Sequence, residues 1–83
     1  MTKKQANSLA EVFRDRFAAD VDSEAIGKGR FRFAVTSAKF NKMSPLRRQD
    51  KVWSIVDEVL PREAVLDISL ILALSPRELI AAE

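Results

Sequence analysis

Arg30 to Ser37 reads RFRFAVTS, and its two-residue period commits the segment to an extended strand with one buried and one open face. Phe31, Phe33 and Val35 fall on one side; Arg30, Arg32, Ala34 and Thr36 fall on the other. This is the clearest strand signal in the chain. Asp20 to Gly27 alternates weakly and reads as a short strand, and Gly27-Lys28-Gly29 joins the two. Paired glycines around a lysine are reminiscent of a phosphate-cradling loop, but no GK[ST] follows and no helix opens there, so the segment reads as a hairpin turn.

Leu9, Val12, Phe13 and Phe17 recur at helical spacing, which predicts an amphipathic helix over about residues 5–19. A second helix is predicted from Ser44-Pro45, where serine caps the free N–H groups and proline at the first helical position loses no hydrogen bond. Leu46, Val52, Trp53, Val56 and Leu60 are expected to line one side of it, Pro61 ends it, and a short helical turn is expected near 62–65. Leu66, Ile68, Leu70, Leu72 and Leu74 alternate with Asp67, Ser69, Ile71 and Ala73, predicting a third strand apolar on both faces and therefore central or well covered. Ser75-Pro76-Arg77-Glu78 carries a serine cap, a proline and a capping-box glutamate, opening a last helix through Ala82. The expected fold class is α+β, in the order α-β-β-α-(short helix)-β-α. It has a three-stranded mixed sheet with helices packed on one face, within a single domain spanning 1–83.

With 83 residues, no cysteine and no histidine, the chain has no disulfide, no thiolate metal site, no thiol nucleophile and no imidazole acid or base. Asp57 and Glu58 are adjacent on a predicted helix and point apart, so they form no acid/base pair. These absences argue against an enzyme. No segment has the length and apolarity of a membrane span or a signal-peptide core, so a cytoplasmic protein is expected, as a monomer or weak homo-oligomer.

Net charge is +2 but unevenly placed. Residues 28–51 carry eight basic residues against Asp50 alone, a local +7, while 1–27 sum to −1 and 52–83 to −4. The basic middle suits either an anionic partner or a merely solvated face. Its candidate binding residues are Arg30, Arg32, Lys39, Lys42, Arg47, Arg48 and Lys51, with Arg47, Arg48 and Lys51 expected to be exposed.

The run from Phe31 to Leu79 resembles the BolA family: the strand FRFAVTS, Phe40 three residues beyond Ser37, then SPLRRQDKV, the late strand, and SPREL. Ser37, Phe40, Ser44, Leu46, Arg48 and Val52 fall where that family has its S-x-x-F segment and the start of its long helix. Ser75 to Leu79 resembles its threonine-proline-acidic-glutamate-tryptophan ending. The resemblance implies an α+β module similar to a class II KH domain, and typically no enzymatic activity. It also implies one of two roles. One is nucleic-acid binding in stress response and transcription regulation. The other is partnership with a monothiol glutaredoxin around a bridging two-iron, two-sulfur cluster in iron–sulfur assembly.

Two departures bear on that choice. Arg48-Gln49-Asp50 stands where the family has arginine-histidine-arginine, and Asp67 occupies the position of the family's cluster-ligand histidine. The loop between the first two strands holds neither histidine nor cysteine. Carboxylate is a hard donor and suits an iron–sulfur centre less well than imidazole or thiolate, so no metal or cofactor is expected. The leading expectation is a nucleic-acid-binding regulator acting through the basic residues around the start of the long helix. The alternative is a metal-free adaptor for a glutaredoxin-like partner. A KH-type GXXG loop is missing from the sequence. Phe31, Phe33, Phe40 and Trp53 read as core, not as stacking platforms.

Overall fold

A computed structural model describes residues 1–78. The elements run α1 (Lys3–Phe17), β1 (Asp20–Gly27), β2 (Arg30–Thr36), a 3₁₀ turn (Ala38–Phe40), α2 (Pro45–Val59), α3 (Arg62–Val65) and β3 (Ile68–Leu74). This is the α+β order expected, with a three-stranded mixed sheet. β1 pairs antiparallel with β2, and β2 pairs parallel with β3. Residues 76–78 are helical, and the rest of the helix expected through Ala82 lies outside the described residues.

α1 begins earlier than the apolar spacing implies because Thr2 and Gln5 close a capping box. The Thr2 hydroxyl accepts from the Gln5 N–H, and the Gln5 side chain accepts from the Thr2 N–H. The helix buries Ala6, Leu9, Ala10, Phe13 and Phe17. It ends at Ala18, which takes a left-handed φ of 48°. Phe13 meets Phe33 of β2 edge to face at 6.3 Å, and Phe17 meets Phe40 at 4.9 Å, so the odd-numbered face of β2 is roofed by α1 and the 3₁₀ turn. The Ser37 hydroxyl donates to the Phe17 carbonyl at 2.5 Å and accepts from the Lys39 N–H, fastening the end of α1 to that turn. The hairpin between β1 and β2 holds three successive left-handed residues, Gly27, Lys28 and Gly29, which is why glycines flank the lysine.

α2 starts at Ser44, whose hydroxyl accepts from the Arg47 N–H, and buries Arg48, Val52, Ile55 and Val56. This differs from the expected apolar side at its first turn. Leu46 is 73% exposed, because the helix turns its 48–52–55–56 stripe toward the sheet and places position 46 on the far side. Leu66 is likewise 78% exposed, since α3 and its following residue carry the chain through to Asp67 and the strand starts only at Ile68.

β3 is the main correction. It is an edge strand, and one of its faces is open: Ile71 and Ala73 are buried beneath the helices, whereas Leu70 and Leu72 are 46% and 43% exposed. Its apolar alternation on both faces signalled a strand covered twice, but among the described residues α1 and α2 pack on the same side of the sheet and the other side carries no helix.

Candidate functional site

The basic residues of the middle segment do not form one surface. Arg30 and Arg32 alternate with the buried Phe31 and Phe33 and therefore stand on the face of the sheet away from the helices. Arg32 is committed there to Glu24, directly opposite on β1, through Nε at 3.0 Å and Nη2 at 2.6 Å. These two arginines lie on the other side of the molecule from the start of α2, which divides the seven candidates into separate groups.

Arg48 leaves the surface altogether. Its residue is 7% exposed, and its guanidinium donates to the Met43 carbonyl at 3.1 Å, to the Ala73 carbonyl at 3.3 Å, and to the Glu78 carboxylate. It also lies 5.9 Å from the centre of the Phe40 ring. Its Nε and Nη1 are spent on the protein itself and the residue is buried, so the expectation of an exposed Arg48 is wrong. A cation at the fourth position of a helix whose stripe faces the sheet must either snorkel outward or find carbonyls, and here the end of β3 supplies them.

Four of the candidates remain exposed: Lys39, Lys42, Arg47 and Lys51. Lys39 and Lys42 belong to the 3₁₀ turn and its exit, while Arg47 and Lys51 stand one helical turn apart on an exposed side of α2. Among the described residues the ion pairs are Met1–Asp67, Arg16–Glu58, Arg32–Glu24 and Arg48–Glu78, and none of the four cations enters one. Sequence reading missed a fifth member, Arg16. It sits in the last turn of α1, in a stretch of slightly negative net charge, and reaches this surface only because α1 and α2 pack together. The Lys39 ammonium donates to the Arg16 carbonyl at 3.4 Å, where the end of α1 presents unpaired carbonyls. Between the two helices lies an open groove of about 280 Å³, lined by Arg16, Phe17, Lys51, Ser54, Ile55 and Glu58. The Arg16 guanidinium bridges it to Glu58 at 3.0 Å, so the groove is basic at the start of α2 and neutralised toward its end.

Gln49, which stands where the related pattern has histidine, ties α2 to β3. Its Nε2 donates to the Ile71 carbonyl at 3.0 Å, and its Oε1 accepts from the Trp53 indole N–H at 3.0 Å. With Arg48 on Ala73, the first turns of α2 thereby occupy two outward carbonyls of the β3 edge. Trp53 is half-buried against the core, whereas Phe31, Phe33 and Phe40 are buried within it, so none of the four aromatics is a free stacking platform.

Asp67 sits between α3 and β3, and its carbonyl accepts from the Phe31 N–H at 2.9 Å. Its half-buried carboxylate pairs with the Met1 ammonium, which also donates to the Gly29 carbonyl at 3.4 Å. No group of three or more metal-ligating side chains occurs among the described residues, and the Asp67 carboxylate is already engaged by an ammonium. These residues do not fit an iron–sulfur cluster.

A scan of protein-family models and a search of curated proteins each find no match for this chain. Solved structures do match. BolA1 from Arabidopsis thaliana superposes with a TM-score of 0.68 at 16% identity, over 93% of this chain and 98% of that one. A Bol-like protein from Babesia bovis superposes with a TM-score of 0.58 at 19% identity, over 99% of this chain and 93% of that one. The chain has the BolA-like fold. No helix among the described residues is long and apolar enough to cross a membrane.

Proposed function

We propose that this BolA-like chain is a non-enzymatic regulatory module that binds the phosphate backbone of nucleic acid through Lys39, Lys42, Arg47 and Lys51, with Arg16 at the margin. The observation that carries this reading is that these four cations stand exposed around one helix start without an ion-pair partner among the described residues. A structural role would consume such charges, as it does for Arg48 and Arg32. Exposed cations at this density favour polyanions through release of condensed counterions, which gives affinity without base specificity. The lack of a free aromatic platform favours backbone contact over base stacking.

The test is fluorescence anisotropy with duplex DNA, duplex RNA and single strands of equal length across a salt series. Saturable binding that weakens log-linearly with salt, and that is lost in a Lys42→Ala, Arg47→Ala, Lys51→Ala triple variant, supports the reading. Salt-independent binding, or none at low salt, overturns it and leaves the adaptor reading.

A further inference from the structure

The face of the sheet opposite the helices is untouched by the function proposed above. Strand register sets its composition row by row: Glu24, Arg32 and Leu70 in one row, Asp22, Ala34 and Leu72 in the next, Asp20, Thr36 and Leu74 in the third. Down the strands this makes an acidic column on β1, a mixed middle on β2 and a leucine column on β3. The rows bound a shallow depression of about 440 Å³. The Arg32 side chain is drawn toward β1 by Glu24, so it does not lie over the leucines, and the methyl group of Ala34 forms a low floor between the columns.

Adjacent strands are spaced at roughly 4.8 Å, so the acidic and leucine columns stand about 10 Å apart, close to the width of an α-helix with its side chains. We propose that this face receives an amphipathic helix of a partner protein, its apolar stripe on Leu70 and Leu72 and a lysine- or arginine-bearing flank against Asp20 and Asp22. Burying the leucines supplies the apolar contact, and the acidic column sets the orientation, because a helix laid the other way puts its basic flank on leucine.

A second copy of the chain fits poorly. Stacking two such faces about an axis along the strands sets carboxylates over leucines, and about an axis across the strands it sets carboxylates over carboxylates. Lengthening the sheet at β3 is also obstructed, since the Ile71 and Ala73 carbonyls are occupied by Gln49 and Arg48. The acidic column equally repels nucleic acid, which keeps this surface distinct from the basic helical end.

The experiment is a displayed library of 18-residue helices with a fixed leucine stripe and randomised flanks, selected on the whole chain and mapped by amide chemical shifts. Lysine or arginine enriched on one flank, with shifts centred on Arg32, Ala34, Leu70 and Leu72, is the expected result. Affinity should fall at least tenfold in Leu70→Ser/Leu72→Ser, and also in Asp20→Lys/Asp22→Lys, whose exposed positions leave the core intact. No enrichment, acidic flanks, shifts centred on α2, or concentration-dependent shifts of the same amides without peptide would each overturn the proposal. The last outcome would mean that a second copy covers the face.

Discussion

Arg48 donates through Nη1 to the carbonyl of Ala73, so a cation in the second turn of α2 closes the end of an edge strand 25 residues further along the chain. The same guanidinium reaches Met43 and Glu78, which makes it the joint between α2, β3 and the helical residues that follow. Charge-assisted hydrogen bonds are worth about 1.5–3 kcal/mol, and truncation leaves buried carbonyls unpaired. Arg48→Ala is therefore expected to cost roughly 2–3 kcal/mol in urea unfolding, whereas Arg47→Ala, one position away on the exposed side, stays within about 0.5 kcal/mol. Equal effects would refute the assignment.

Glu78 gives the joint a pH dependence. Hydrogen bonds from the Ser75 side chain and backbone N–H, then from the Arg48 guanidinium, hold its carboxyl down to about 2 from an ordinary 4.5. A depressed folded value stabilises the native state above the unfolded value, and that contribution is lost as pH falls from about 4.5 toward 2. The wild-type Tm is expected to fall more steeply than that of Glu78→Gln across this window, and the two curves to run parallel above pH 6. Parallel curves throughout would exclude the linkage.

Gln49 caps the Ile71 carbonyl and satisfies the Trp53 indole at once. Gln49→Ala leaves both half-buried groups to find water, an expected loss of about 1–2 kcal/mol. Its distinguishing signature is optical: tryptophan emission should shift to the red in the folded variant, while a distant variant such as Leu66→Ser leaves emission unchanged.

The orientation of α2 is testable by a pair of truncations. Ile55 is 7% exposed and Leu46 is 73% exposed, although both are large apolar residues of the same helix. Ile55→Ala should cost about 2–5 kcal/mol, and Leu46→Ala no more than about 0.5 kcal/mol.

The division of the basic residues predicts two classes of binding variant. If Lys39, Lys42, Arg47 and Lys51 each neutralise one phosphate of duplex DNA, the slope of log K against log salt is about −3.6, and each alanine substitution among them should reduce it by about 0.9. Arg30→Ala/Arg32→Ala should leave the slope unchanged, because those side chains stand on the opposite face of the sheet. A slope that responds equally to both sets would mean that the ligand wraps the sheet edge.

Local pattern sufficed for the elements themselves. The alternation of Phe31, Phe33 and Val35, the serine-proline start of α2 and the glycine-flanked hairpin depend on neighbours within a few residues, and backbone geometry converts such spacing directly into strand, helix and turn. The fates of the charged and apolar side chains were not legible in this way. Arg47 and Arg48 are chemically identical neighbours, yet one is exposed and the other is buried among carbonyls of β3, because helical rotation and the arrival of a distant strand decide which cation is desolvated. Arg16 joins the basic surface only through the packing of α1 on α2. The leucines of β3 announced a strand apolar on both sides, but not that one side would stay open. That depended on strand order and on α1 and α2 packing against the same face of the sheet, and these are long-range properties that no local periodicity encodes.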